Sequence, residues 1–242
     1  DGMLNAPQGI TYSGGSLFVM DSSNGRISSY NATTGAFNGW IGRVNVAPTS
    51  GCTTGSNTLY TVSISGWCKG GTGAQSSVGD KGGGFNFWNG NRGSLASDGS
   101  YVYVTNFSNN RIDRISIATG AFAGAASTQF TYLNGTWTTD QTTLANWNGS
   151  AFRPMGIAVN GTHIYYTVYN SSGYGAAIAK MDITTGANIG WKGGISAGNS
   201  PTAGDPGCAG ATVTTPGWCQ GGYPVEGYKL GQFTSAVYSL AV

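Results

Sequence analysis

His163 is the only histidine in 242 residues, and nine acidic residues accompany it. General acid–base catalysis and transition-metal binding draw first on those side chains. His163 takes a place that Ser16 and Tyr101 take elsewhere in an internal repeat. Ser, Tyr and His share no chemical role, so the position reads as a plain surface or edge site. The acids are dispersed. Asp21 ends an apolar run, Asp98 sits in a turn, Asp113 and Asp182 fall in strand-like pieces, and Asp80, Asp140, Asp205 and Glu226 lie in long polar stretches. None of this has the spacing of a metal-ligand set or of a triad around the lone histidine. The residues lead us to expect no catalytic residue, no metal, no cofactor, and a chain that is not an enzyme.

The cysteines carry clearer chemistry. Cys52 and Cys68 stand in Gly51-Cys52 … Gly66-Trp67-Cys68-Lys69-Gly70-Gly71. Cys208 and Cys219 stand in Gly207-Cys208 … Gly217-Trp218-Cys219-Gln220-Gly221-Gly222. Shared ends around loops of different length favour two local bridges, Cys52–Cys68 and Cys208–Cys219, over the crossed pairings. Zinc is the rival, and it lacks both a Cys-x-x-Cys pair and a second histidine. Each bridge closes a short loop and would contribute about 3 kcal/mol. Disulfides imply an oxidising compartment, so an extracellular or cell-surface location is expected.

Two further groups could be modified or bind. Asn-x-Ser/Thr occurs at Asn31, Asn106, Asn134, Asn148, Asn160 and Asn170. In a chain rich in Asn, Ser and Thr the number is close to chance, so position is more informative. Asn31, Asn134, Asn148 and Asn160 fall in turns or insertions and are the candidate glycosylation sites. The stretch Thr136 to Thr143 reads equally as a polar loop or as a carrier of O-linked sugar. The tryptophans could stack on sugar or on a partner chain. The simpler reading is that they pin Gly-rich loops, as Trp67 and Trp218 would beside their cysteines.

A repeat must position these residues. Copy one runs Pro7-Gln8-Gly9-Ile10, Ser16 to Asp21, Asn24-Gly25-Arg26-Ile27, then Thr34-Gly35-Ala36-Phe37. Copy two runs Gly93 to Ala96, Tyr101 to Asn106, Asn109-Asn110-Arg111-Ile112, then Thr119-Gly120-Ala121-Phe122. Copy three runs Pro154-Met155-Gly156-Ile157, Ile164 to Val168, Ile178 to Met181, then Thr185-Gly186-Ala187. Ser239-Leu240-Ala241-Val242 reads like the opening of a fourth. Short β-branched and aromatic runs between Gly-bearing turns give four antiparallel strands per copy, an all-β chain. Such copies bury their apolar faces only by stacking. Composition agrees: Gly is 42 of 242, and charged residues are 8% against about 25% in ordinary domains. A net charge of +2 gives no case for nucleic acid or an anionic membrane. No apolar run is long enough to span a bilayer.

The sequence resembles the NHL-repeat family, in particular bacterial secreted NHL-repeat proteins. The resemblance rests on Asn24-Gly25-Arg26-Ile27, Asn109-Asn110-Arg111-Ile112, the Pro-x-Gly-Ile openings, Phe37-Asn38-Gly39-Trp40-Ile41-Gly42 and the two Gly-Trp-Cys stretches. It implies a β-propeller of short four-stranded blades around a channel. The expected domain is a single blade array over 1–242, with blades near 4–43, 91–126 and 152–195 and insertions near 44–90, 127–150 and 197–235. Two features depart from the family. Arg26 and Arg111 stand 85 residues apart, and Ile112 and Ile178 66 apart, where about 40 is usual. Three complete blades also fall short of the four to eight or so that close a ring. Propeller lyases and lactonases hold an ion over the channel with converging carboxylates, which this chain does not assemble.

The functional expectation is an extracellular structural or adhesive subunit, non-catalytic, in a homo-oligomeric surface assembly or filament. Its expected partners are other copies of itself, with covalent glycans as a coat. The expected assembly strand is 236–242, with Val237, Tyr238, Leu240 and Val242 as its apolar residues, because an open apolar strand invites pairing. A carbohydrate- or protein-binding propeller is the first alternative, and a propeller lyase or lactonase the second.

Overall fold

The computed structural model describes residues 2–52, 66–75, 84–87, 93–128, 136–140, 143, 152–170, 176–194, 208, 217–220, 224 and 240–241. The β-branched and aromatic runs in them form three antiparallel sheets, each with its strands in chain order. Sheet I holds β1 (Pro7–Ser13), β2 (Ser16–Asp21), β3 (Arg26–Asn31), β4 (Phe37–Val46) and β5 (Thr72–Ala74). Sheet II holds β6 (Leu95–Ser97), β7 (Tyr101–Asn106), β8 (Arg111–Ser116) and β9 (Phe122–Ser127). Sheet III holds β10 (Phe152–Val159), β11 (His163–Asn170), β12 (Ala177–Asp182) and β13 (Asn188–Gly193). Sheet I departs from the four-strand expectation, because Thr72–Ala74, from within the first insertion, pairs with the end of β4.

Register makes the repeat residue by residue. Ser16 pairs with Asn31, Tyr101 with Ser116, and His163 with Asp182. Phe18, Tyr103 and Tyr165 are therefore equivalent. So are Ile10, Leu95 and Ile157, which pair with Val19, Val104 and Tyr166. In the first two copies a 3-10 turn, Ser22–Asn24 or Phe107–Asn109, precedes the third strand. Each turn ends on a left-handed residue, Gly25 at φ 60 and Asn110 at φ 52. Gly and Asn adopt that conformation most cheaply, which explains Asn-Gly-Arg-Ile and Asn-Asn-Arg-Ile.

The sheets stack in chain order, β1 on β6 and β6 on β10. Alternation along each strand fills two apolar layers. Phe18, Met20 and Ile27 of sheet I meet Leu95, Val102, Val104 and Ile115 of sheet II. Ala96, Tyr103 and Ile112, from the other side of sheet II, meet Ile157, Ile164 and Tyr166 of sheet III. Sheets I and III share neither layer.

Buried polar groups tie loops to this stack. Arg26 Nε donates to Asp21 Oδ2 at 2.8 Å, and its Nη2 to the Met3 carbonyl at 2.7 Å. Arg111 Nε donates to Asp113 Oδ1 at 2.7 Å. Asn106 Nδ2 donates to Asp113 Oδ2 and to the Gly84 carbonyl. Phe85 and Phe87 are fully buried beside that anchor and stack on each other.

Candidate functional site

Several described ionisable groups have structural partners. Asp113 is wholly buried, and desolvation raises its carboxyl above the usual range even though Arg111 and Asn106 oppose the shift. Asp182 is lowered by backbone and hydroxyl hydrogen bonds from Thr185. Burial raises the phenols of Tyr103 and Tyr166. His163 Nδ1 meets the Thr162 hydroxyl at 2.8 Å. Among the described residues no three of His, Cys, Asp and Glu gather as a metal would require. Asp80, Asp205 and Glu226 lie outside those residues. So does Ser196, whose Gly194-Ile195-Ser196-Ala197-Gly198 follows β13 with the spacing of a nucleophile elbow. A recess of about 500 Å³ lies between Gly2–Asn5, Arg26 and Gly71–Gly73. Arg26, the one ionisable residue among the described lining residues, is held by Asp21.

Two sequons have a structural duty. Asn31 Oδ1 accepts the amides of Thr33 and Thr34 at 2.9 and 2.8 Å. Asp182 accepts those of Thr184 and Thr185 in the equivalent turn of sheet III. Asn160 Oδ1 accepts the amides of Thr162 and His163, as Asp98 does for Ser100 and Tyr101. Capping a turn is enough to place Asn at both positions. Asn106 is fully buried. Asn134 and Asn148 lie outside the described residues, as do Val237, Tyr238 and Val242. Leu240 is half-buried and Ala241 exposed.

The disulfides lead to a more organised feature. Cys52 bonds Cys68 at 2.05 Å, and Cys208 bonds Cys219 at 1.93 Å. Cys68 exchanges both backbone hydrogen bonds with Trp40, and Cys219 does so with Trp191. Sheet II has the same bridge without a cysteine, between Ala125 and Thr138. Trp67-Cys68, Trp137-Thr138 and Trp218-Cys219 thus hold one place in three copies.

In each copy that tryptophan packs on the same second-strand ring. Trp67 lies 5.4 Å from Phe18, Trp137 5.8 Å from Tyr103, and Trp218 5.9 Å from Tyr165. The first two also clamp the following sheet. Trp67 Nε1 donates to the Ile117 carbonyl at 3.0 Å, and Trp137 Nε1 to the Ile183 carbonyl at 2.9 Å. Both acceptors lie in the turn between third and fourth strands of the next sheet. Gly120 and Gly186 in those turns are buried by the approach. A Cβ on Gly120 would come within 2.7 Å of the Gly66 backbone, and one on Gly186 within 2.9 Å of the Trp137 nitrogen. The sequence hid this pattern because Thr138 replaces cysteine. The available signal was Trp137 itself, in an insertion like the other two.

The two outer sheets break the pattern. Trp218 is half-buried, and its indole N–H finds no acceptor among the described residues. Lys180 and Lys192 lie near its ring, at 5.7 and 6.0 Å. Tyr165 beside it is half-buried, while its strand partner Ala158 and Thr167, two residues on, are buried. On sheet I the equivalent turn, Ala32 to Gly35, has no described residue seated in it, and a Cβ on Gly35 would meet no described atom within 4 Å. Ile10 is 61% exposed, whereas its equivalents Leu95 and Ile157 are 5% and 3% exposed. Tyr12, two residues on, is 64% exposed.

The chain matches no family model and no curated protein. Among solved structures it is similar to hydrazine synthase of Kuenenia stuttgartiensis, at 16% identity and a TM-score of 0.37, over 79% of this chain and 51% of that one. It is also similar to a chain of a nidogen–laminin complex, at 16% identity and a TM-score of 0.34, over 78% of this chain and 64% of that one. The chain spans about half of the first and under two thirds of the second. Its described residues form three antiparallel β-sheets with two disulfides.

Proposed function

We propose that the chain is an extracellular, non-catalytic structural or adhesive subunit, whose sheets are NHL-type propeller blades that go on stacking from one copy to the next. The carrying observation is Ile10, open on sheet I where the same residue of sheets II and III is buried under a preceding sheet. A sheet face of this kind is completed by another sheet of the same design. Joining the outer face of sheet I to that of sheet III is heterologous, so it grows a ring or a filament according to the rotation per copy. Residues 236–242, with Val237, Tyr238, Leu240 and Val242, are the proposed strand of the joint. The two disulfides suit an oxidising compartment, and glycans are its proposed coat.

The test is assembly of the 242-residue chain, followed by sedimentation and electron microscopy over a range of concentrations. Growth with concentration, abolished by deleting 236–242, is the expected result. A chain that stays monomeric throughout, with both disulfides formed, would remove the proposal.

A further inference from the structure

We propose that the joint between copies is keyed by one tryptophan. Trp218 of one copy docks its indole N–H on the Ala32 carbonyl of the next, in the turn Ala32 to Gly35. This deepens the assembly reading and rests on it.

The warrant is internal repetition. The chain makes this joint twice within itself, with Trp67 on the Ile117 turn and Trp137 on the Ile183 turn. Ala32, Ile117 and Ile183 are equivalent, since each follows the residue paired with Ser16, Tyr101 or His163. Each also donates its amide back to the neighbouring turn, to Gly15, Ser100 and Thr162 in that order. Three tryptophans and three seats therefore exist, and two of each are matched. The unmatched tryptophan lies on sheet III and the unmatched seat on sheet I.

The two surfaces also fit chemically. Trp218 is already held against Tyr165 at 5.9 Å, as Trp67 and Trp137 are held against Phe18 and Tyr103. Its ring is pre-positioned, so little side-chain entropy is lost on docking. The seat offers a backbone carbonyl to which no described donor is directed, and a glycine facing open space. Gly35 is exposed where Gly120 and Gly186 are buried. An indole N–H can only donate, and a carbonyl accepts it. The occupant best matched to the Ala32 turn is the tryptophan of an identical sheet.

Two variants and one exchange measurement test the proposal. Gly35→Asn keeps a residue that tolerates the left-handed backbone and fills the seat, so the dilute chain keeps its thermal midpoint. The concentration for half-assembly should rise at least tenfold. Trp218→Phe keeps the ring and removes the N–H, and should weaken assembly several-fold with the same midpoint. Trp67→Phe and Trp137→Phe should instead lower the midpoint of the isolated chain. In wild type the Trp218 indole N–H should exchange rapidly when dilute and become protected on assembly, while those of Trp67 and Trp137 are protected throughout. If the chain assembles with Trp218 still exchanging rapidly and Gly35→Asn without effect, the tryptophan joint is wrong and the assembly reading stands. If wild type never assembles, both fall.

Discussion

Arg111 has no solvent exposure, and a buried guanidinium survives only if its charge is answered. Asp113 Oδ1 answers it at 2.7 Å, and the Gly84 carbonyl takes a further N–H at 3.3 Å. Asp113→Leu would leave that charge unpaired and strip an acceptor from Asn106. We expect a loss of about 3–5 kcal/mol in urea unfolding. Arg111→Leu combined with Asp113→Leu should cost less than Asp113→Leu alone. Carboxyl titration by NMR adds a second check. An unperturbed Asp titrates near 3.9; Asp113 should titrate above that and Asp182 below it, given the directions of their shifts. The linkage signs are opposite. Asp113 contributes least at neutral pH and gains as pH falls through its raised folded value. Asp182 contributes above the unfolded value, and that contribution is lost as pH falls through its lowered one. Neither residue's duty was visible in the sequence, where both looked like scattered acids. Arg is mostly exposed, and the partner loop at Gly84 lies 27 residues from Arg111.

At the scale of the element, the turn between third and fourth strands repeats most faithfully, and its first residue is the cap. Asp182→Asn keeps the acceptor for Thr184 and Thr185 and loses only the charge, so it should cost less than Asp182→Ala. Asp182→Ala removes it and should cost about 1 kcal/mol, read as a shift in the denaturation midpoint. The four-strand antiparallel order was legible because Gly-bearing turns punctuate runs of β-branched and aromatic residues. The fifth strand was not, since Thr72-Gly73-Ala74 carries no such run and forms only because β4 extends to Val46 beside it. The tryptophan of sheet II was equally hidden. Its neighbour Thr138 makes the same backbone bridge as Cys68 and Cys219, and backbone pairing leaves no mark on side-chain identity.

For the whole molecule, the arrangement sets the force that joins copies and the place left for sugar. With 8% charged residues, association has little electrostatic content. It should therefore vary little between low and moderate salt, unlike charge-steered association. Ile10 is 61% exposed, and covering an isoleucine stabilises a joint by roughly 1.5–3 kcal/mol at most. Ile10→Asp reverses that gain and should raise the half-assembly concentration more than tenfold. Sugar follows from the same surfaces. Asn31 adjoins the proposed seat at Ala32, whereas Asn160 lies in an exposed turn whose Gly161 faces open space. A glycan on Asn31 would crowd an incoming sheet, and one on Asn160 would meet no described neighbour. In assembled material from a glycosylating host, we expect sugar at Asn160 and bare Asn31, read by peptide mass mapping. Full occupancy of Asn31 within assembled particles would show that copies do not meet at this turn.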